Sequence, residues 1–356
     1  MTDAVLVTGA FGLVGTATVK HLAAQGRHVV ATDLDTPANR QAAHALPPAV
    51  QAKWADLTDP TQVTELLNDV QPASIIHLAA VIPPLCYANP RLARKVNVDA
   101  TANLVNAAAA QQNPPRFIQA SSIAVYGPRN PHHITGVLTA DTPVNPYDVY
   151  GRHKVEAEAI VRDSALDWTI LRLGGVLSVD LGSLPMNSDM VYFESVLPTD
   201  GRLQTVDVRD VAHAFAAATT ADATGRTLLI GGDDSHRQRQ GEIASSTAAA
   251  MGLVGGTPSG RPGDPDDDDG WFATDWMDTA TAQAVLKHQH HSWPQMLAEI
   301  SHEAGWKRYP LRLVAPLARE FLKRQSAYYR QPGTYAKPWD AVRRKWGAWQ
   351  EDRRSV

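Results

Sequence analysis

Thr8-Gly9-Ala10-Phe11-Gly12-Leu13-Val14-Gly15 is the stretch on which the reading of this chain turns. Before it, Ala4 to Val7 is a short apolar run suited to a buried parallel strand, and after it Leu13 to Gln25 carries helical spacing. Strand, glycine turn and helix therefore follow in order. In that setting Gly9 permits a tight turn, Gly12 lets the backbone approach a pyrophosphate, and Gly15 allows helix and strand to pack closely. The helix N-terminus offers the phosphates N–H groups that have no intrahelical acceptor. The spacing is G-x-x-G-x-x-G, one residue wider at its start than the common dinucleotide fingerprint, so the flanking sequence has to carry part of the assignment.

The flank does so first at His28 to Thr32, a valine-rich run ending at Asp33, eighteen residues after Gly15, where a ribose-binding carboxylate is expected. A carboxylate there accepts from both ribose hydroxyls and repels a 2′-phosphate. Leu34 follows it rather than an arginine, which favours NAD over NADP, with Arg27 and Arg40 left as residues that could still fold over to meet a phosphate.

Strand-like runs recur at Gln51 to Ala55, Ser74 to Leu78, Phe117 to Ala120 and Trp168 to Leu173. Helical stretches at Pro60 to Val70, Pro90 to Gln111 and Tyr147 to Ser164 separate them. The alternation predicts an α/β fold with a doubly wound parallel sheet of the Rossmann type. Ligands on such a sheet lie outside the carboxyl ends of the strands, where the glycine turn, Asp33, Ala79-Ala80 and Ser121-Ser122 all fall. After Gly174 the pattern becomes irregular, with a strand expected at Thr227 to Ile230 and a helix at Glu242 to Met251. The expected division is a dinucleotide-binding domain over 1–174, a smaller substrate lobe over 175–304 interleaved with it, and a basic, tryptophan-rich extension over 305–356. Within the lobe, 255–270 holds five glycines, three prolines and five aspartates, a composition that predicts a mobile loop.

At 356 residues and 44% apolar composition the chain can bury a substantial core. Cys86 is the only cysteine, so no internal disulfide is possible. Its thiol reads as a small buried apolar group in a reducing, cytoplasmic protein. Met1-Thr2-Asp3 leads straight into the first strand without a basic and apolar leader, and no apolar run reaches the roughly 18 residues of a membrane span. The net charge of −4 hides an asymmetry: residues 305–356 hold 13 Lys or Arg against 4 Asp or Glu, a net +9 against −13 for the remainder. Trp306, Trp339, Trp346 and Trp349, with Leu317, Phe321 and Tyr328 at near-helical spacing, could form an amphipathic helix for a membrane surface or a partner. The same segment could fold back on the acidic body or pack across a dimer interface. No nucleic-acid motif accompanies it. Asp266 to Asp269 reads as a solvated run, and His288, His290 and His291, without acidic or cysteine companions at ligand spacing, as surface residues, so no metal site is expected.

Tyr150 and Lys154 form a Y-x-x-x-K pair on one helix face. A free phenol has a pKa of about 10, and an adjacent ammonium stabilises the phenolate, moving it toward the range that acid–base work needs. Twenty-eight residues before the tyrosine, Ser122 ends an apolar strand and could hydrogen-bond a substrate oxygen as charge develops during hydride transfer. Other schemes find no support, since the chain has neither a G-x-S-x-G elbow nor an H-E-x-x-H pair.

With these residues the chain resembles the extended short-chain dehydrogenase/reductases, the NAD-dependent epimerase/dehydratase family, over roughly residues 4 to 215. The resemblance is carried by TGAFGLVG, Asp33, Asp56-Leu57, HLAA from His77 to Ala80, VNVDAT from Val96 to Thr101 and SSIAVYG from Ser121 to Gly127. It continues through NPYDVYGRHKVEAE from Asn145 to Glu158, LRLGGV from Leu171 to Val176 and VDVRDVA from Val206 to Ala212. It implies Tyr150 as acid–base, Lys154 as its activator and ribose ligand, and Ser122 as donor to the substrate oxygen. The implied NAD site comprises Gly9, Phe11, Gly12, Leu13, Gly15, Asp33, Asp56, Leu57, Leu78, Ala79, Ala80 and Asn97, together with Tyr150 and Lys154. It also implies a homodimer built from the helices Pro90 to Gln111 and Tyr147 to Ser164.

Departures from the family pattern narrow the chemistry. Ile123-Ala124 stands where dehydratases of the family carry Asp-Glu, so no carboxylic acid is placed to expel water. Gly174-Gly175 stands where nucleotide-sugar enzymes commonly have an asparagine. Val81 to Leu85 could add an apolar pocket wall, as in relatives that oxidise steroid or other hydrophobic alcohols. The leading expectation is NAD-linked hydride transfer on a secondary alcohol or ketone. A UDP-sugar 4-epimerase is the alternative, and an NAD-binding sensor or scaffold without turnover a second.

Overall fold

The computed structural model describes residues 3–180, 182 and 187–348; Trp349 lies outside them. The first half alternates β1 (Val5–Thr8), α1 (Leu13–Ala24), β2 (Val29–Asp33), α2 (Pro37–Ala43), β3 (Gln51–Trp54), α3 (Pro60–Val70) and β4 (Ser74–His77). Short helices α4 (Leu85–Ala88) and α5 (Pro90–Arg94) lead to α6 (Ala100–Ala109), β5 (Arg116–Ser122), α7 (Val149–Arg162) and β6 (Trp168–Leu173). The rest runs β7 (Gly175–Leu177), α8 (Ser188–Val196), β8 (Arg202–Asp207), α9 (Val208–Ala218), β9 (Arg226–Ile230), β10 (Arg237–Arg239) and α10 (Gln240–Ala250). It closes with α11 (Ala280–Leu286), α12 (Trp293–Ala304), α13 (Arg308–Gln325) and α14 (Pro338–Trp346).

Seven strands form one parallel sheet in the order β3-β2-β1-β4-β5-β6-β9, so the direction of winding reverses between β1 and β4. Both faces are covered, which is why β1 and β4 are buried along their whole length and read as unbroken runs rather than alternating ones. One face packs Val5, Val7 and Ile118 against Val19 and Leu22 of α1 and Val211 and Phe215 of α9. The other packs Leu6, Ile75 and Phe117 against Val63 and Leu67 of α3, Leu104 of α6 and Val161 of α7. Local chemistry sets the ends of these helices. Asp59 caps α3 by accepting from Thr61 N, Pro60 supplies a preset φ at the first turn, and Gln71 closes it in the left-handed region at φ 46°.

The stretch expected as one helix from Pro90 to Gln111 is divided by a π-turn at Lys95–Asp99. A second, three-stranded sheet, β10-β8-β7, builds the lobe beyond Gly174, with β7 and β8 parallel and β8 and β10 antiparallel. Residues 255–270 have almost no regular structure, as their composition requires, yet backbone and side-chain bonds tether them. Thr199 N donates to Arg261 O, Gly263 N to Asp200 Oδ1, Trp271 Nε1 to Asp264 O and Asn130 Nδ2 to Asp268 Oδ1.

Two of the three clustered histidines depart from expectation, while His290 is exposed as expected. His288 is fully buried with Nε2 on Gly231 O, and His291 pairs with the buried Asp210 at 2.6 Å, because both serve as internal hydrogen-bond partners rather than surface groups. The basic extension divides in two. In α14, Trp339 is buried, stacked on Phe272 at 5.1 Å and 5.0 Å from the Tyr147 ring, while Trp346 packs on Tyr87 and Tyr192. By contrast α13 buries only Ala315 fully and leaves an apolar face open. Among the described residues no helix is long and apolar enough to cross a membrane.

Candidate active site

Three glycines shape a cradle at the point where the sheet reverses. At Gly9, φ is +64° and an added Cβ would lie 2.7 Å from Ala79 N; at Gly15 it would lie 2.1 Å from Gly9 O. Neither position has room for a side chain. Gly12 differs, since its Cβ would meet only Gly9 O at 3.5 Å and its backbone (φ −73°, ψ 175°) suits any residue. As the cap of α1 it supplies no side-chain acceptor, so the first-turn N–H groups, Leu13 among them, face the open side of the turn. This arrangement fits a pyrophosphate. Gly12→Val is therefore expected to change folding stability by less than about 1 kcal/mol yet weaken NAD binding by about tenfold or more. Urea unfolding and calorimetric titration of the same sample read the two effects separately.

Asp33 ends β2 and accepts from Leu34 N at 2.8 Å and Phe11 N at 3.3 Å, tying the glycine turn to the neighbouring strand. Both arginines that could have met a 2′-phosphate are engaged elsewhere: Arg40 clamps Asp35 at 2.5 and 2.7 Å, and Arg27 reaches Thr219. Phe11 stacks on Trp54 at 5.4 Å. Asp56 accepts from Thr58 N and Oγ1, and Leu57 O accepts from Asn103 Nδ2, which fixes the loop after β3.

Behind the Leu78-Ala79-Ala80 segment runs a buried polar chain. Leu78 N and Ala79 N both donate to Thr8 Oγ1, which lies 2.7 Å from His77 Nδ1. His77 Nε2 faces Thr101 Oγ1 at 3.1 Å, and that hydroxyl donates to Asn97 O. Burial, aided by Lys154, pushes His77 down to about 3, so it stays neutral. With Nε2 carrying the proton every partner in the chain is satisfied. Asn97 itself, in the π-turn, exchanges two bonds with Val81, donating to its O at 2.9 Å and accepting from its N at 2.7 Å. It holds the segment rather than presenting a free amide.

The structure brings Ser122, Tyr150 and Lys154 together. Ser122, at the end of β5, accepts from Ala124 N at 3.2 Å, and its hydroxyl lies near enough to the Tyr150 phenol to act on it. Tyr150 sits in the first turn of α7, whose cap Asp148 accepts from Gly151 N at 2.8 Å and from the Tyr87 hydroxyl. Lys154, one turn on, is buried with Nζ 5.7 Å from the Tyr150 ring centroid and donates to Ala120 O at 2.9 Å. Burial pushes Lys154 down to about 8, opposed by Glu158.

The expected lowering of the Tyr150 phenol is not found in this state of the chain. Burial raises it above the ordinary phenol value, Cys86 adds to the rise, and the nearby Ser122 hydroxyl only partly opposes it. The reason is geometric: the ammonium is turned to the Ala120 carbonyl, and apolar groups surround the ring. Tyr150 packs against a cluster that includes Val81, Tyr87, Val149, Phe193 and Trp339, with Tyr147, Met190 and Phe272 at its margin.

Beneath the triad lies an ion-pair network. Glu158 Oε1 accepts from Ser121 Oγ at 2.5 Å and Arg172 Nε at 2.9 Å, and its Oε2 accepts from Arg172 and Arg162 at 2.7 and 2.8 Å. Burial alone would raise this carboxyl, but the Arg172 hydrogen bond and charge hold it below its ordinary value. The network joins the end of β5 to α7 and β6, and so sets the distance from Ser122 to the tyrosine–lysine pair.

The sequence pattern of the NAD dependent epimerase/dehydratase family matches residues 5–231, nearly two thirds of the chain, a span that holds the glycine turn, Asp33, Ser122, Tyr150 and Lys154. The chain belongs to that family. Its parallel seven-stranded sheet flanked by helices is the Rossmann-like fold of that family. Among curated proteins it is 32% identical over 128 residues to a D-erythronate dehydrogenase from Cupriavidus necator, covering 35% of this chain and 38% of that protein. It is also 32% identical over 193 residues to methionine adenosyltransferase 2 subunit beta from Bos taurus, covering 54% and 52%. The chain thus spans about half or less of the length of these relatives. Among solved structures, the UDP-glucose 4-epimerase of Thermus thermophilus, in complex with NAD, superposes with a TM-score of 0.67 at 22% identity, covering 85% of this chain and 99% of that one.

Several residues that shape the site gave no separate signal. Thr8 stands inside the opening motif but was read only as its first letter. Gly151 follows the tyrosine, and a Cβ there would lie 2.5 Å from Ala124 O, so glycine lets α7 close on the turn after β5. Tyr87, Asp148, Phe272 and Trp339 meet only through tertiary packing, with no shared spacing to disclose them.

Proposed function

We propose that this enzyme passes hydride between NAD and a secondary alcohol or ketone on an apolar small molecule. The observation that supports the reading is that the partly buried Tyr150 ring packs against an apolar cluster, to which α14 contributes the buried Trp339. Apolar surroundings of this kind favour hydrocarbon and offer little to a polyhydroxylated, doubly charged ligand. The cofactor supplies the hydride chemistry. Tyr150 gives or takes the proton of the substrate oxygen, Ser122 donates to that oxygen, and Lys154 holds the nicotinamide ribose. Gly9, Gly12 and Gly15 form the pyrophosphate turn, Asp33 meets the adenosine ribose, and Asp56-Leu57 and Leu78-Ala79-Ala80 border the adenine and the cofactor channel. The reading includes a cytoplasmic homodimer built on α6 and α7.

A UDP-sugar epimerase is the second reading, motivated by the Thermus thermophilus UDP-glucose 4-epimerase. Against it stands Gly174-Gly175 in place of the phosphate-contacting asparagine common in nucleotide-sugar enzymes; at Gly174 a Cβ would lie 2.5 Å from Gln204 O, and at Gly175 3.1 Å from the Leu203 side chain. Purified enzyme given NAD and a panel of steroid and other hydrophobic secondary alcohols is expected to form one NADH per alcohol oxidised, followed by absorbance. UDP-glucose and UDP-glucuronic acid are expected to give neither NADH nor epimer. Interconversion of a UDP-sugar without added NAD would replace the first reading with the second.

A further inference from the structure

Among the described residues, the open face of α13 gathers Trp306, Tyr309, Leu313, Leu317 and Phe321, all exposed and left unexplained by the fold or the site. Tyr309, Leu313, Leu317 and Phe321 recur every four residues and so share one side of the helix. Trp306, in the turn just before it, is 74% exposed, and Leu313, Leu317 and Phe321 are 83%, 71% and 65% exposed. Exposed large side chains scattered singly need no explanation, whereas a continuous row of this length marks an interaction surface. The opposite side, centred on the buried Ala315, is where the helix rests on the body.

Charge decides the occupant. Lys307, Arg308, Arg312, Arg319, Lys323 and Arg324 accompany this face, against the single acid Glu320, which is already paired with Arg324 at 3.0 Å. Arg312, Arg319 and Lys323 are exposed along its edge. An isologous pairing of two copies through α13 would bring like charges together. An anionic bilayer presents the complement to both features, hydrocarbon for the leucines and phenylalanine and phosphate for the cations, with Trp306 and Tyr309 suited to the headgroup level. The rest of the chain carries the excess negative charge, so an anionic surface attracts this face and repels the remainder, which orients the molecule. We propose that α13, with Trp306, is an interfacial helix that seats the folded enzyme on an anionic lipid surface.

Flotation of the full chain with vesicles tests this, using phosphatidylcholine alone and phosphatidylcholine with about one third phosphatidylglycerol. The chain is expected to float with the phosphatidylglycerol vesicles, less so as sodium chloride is raised, and to stay behind with phosphatidylcholine. The exposed triple variant Leu313→Ser, Leu317→Ser and Phe321→Ser, with circular dichroism confirming its fold, is expected to lose at least about tenfold in partitioning. A second variant, Arg312→Glu with Arg319→Glu and Lys323→Glu, is expected to lose the preference for phosphatidylglycerol. Equal partitioning of parent and variants overturns the proposal, as does parent that floats with neither vesicle. Self-association seen by velocity sedimentation and abolished by the serine variant, without vesicle binding by the parent, assigns the face to a second copy instead.

Discussion

Tyr150→Phe is expected to lower kcat by about 10²–10⁴-fold, the range for removing a positioned general acid or base, while the dissociation constant for NAD changes little. The substitution deletes only the hydroxyl, and the ring stays in the same packed surroundings beside Val149 and Phe193. Stopped-flow or steady-state rates paired with a cofactor titration read the two quantities separately. An equal loss in both would show that the phenol supports cofactor binding rather than proton transfer, and unchanged kcat would remove it from the chemistry. The pH dependence has a definite sign. Because burial raises the phenol, Tyr150 is protonated at neutral pH and ready to donate, so ketone reduction should hold through neutrality and fall as the phenol ionises. Alcohol oxidation needs the phenolate and should climb over the same alkaline range.

The parts of this molecule that were readable beforehand are those whose cause is local. Ala4 to Val7, Gln51 to Ala55 and Trp168 to Leu173 fall on observed strands within a residue; the first is an unbroken apolar run because β1 is buried on both faces, whereas β3 lies at the exposed edge of the sheet and β6 carries Thr169 and Arg172 among its apolar residues. Pro60 to Val70 is a helix from first residue to last because Asp59 and Pro60 start it and Gln71 can close it. Ser122, Tyr150 and Lys154 read as a set through the resemblance to the family, since helical spacing alone pairs only the tyrosine with the lysine. Other features required the folded chain. Whether His288 lies inside or outside depends on Gly231, fifty-seven residues away. The rise in the Tyr150 phenol depends on the direction in which Lys154 points, and residue spacing predicts proximity without predicting direction. The Trp339 packing against Phe272 and Tyr147 joins three segments with no common period.

Glu158→Ala is expected to destabilise the fold by about 3–5 kcal/mol, the cost of stranding a buried charge. Arg172 is only 3% exposed at its side chain and donates two of its hydrogen bonds to this one carboxylate, so removing the acid leaves a guanidinium with little solvent to replace it. Urea unfolding measures the loss as a lower midpoint, and an unchanged slope would show that the comparison between native and unfolded states is the same. Replacing both partners, Glu158→Met with Arg172→Met, should recover much of that stability, because a well-packed apolar pair carries no desolvation cost. It should not restore turnover to the same degree. The carboxylate also receives Ser121 Oγ at 2.5 Å, one residue from the serine that faces Tyr150, and that bond is absent from the double variant. A double variant as stable and as active as the parent would show that the ion pair neither braces β5 against α7 nor sets the geometry of the triad.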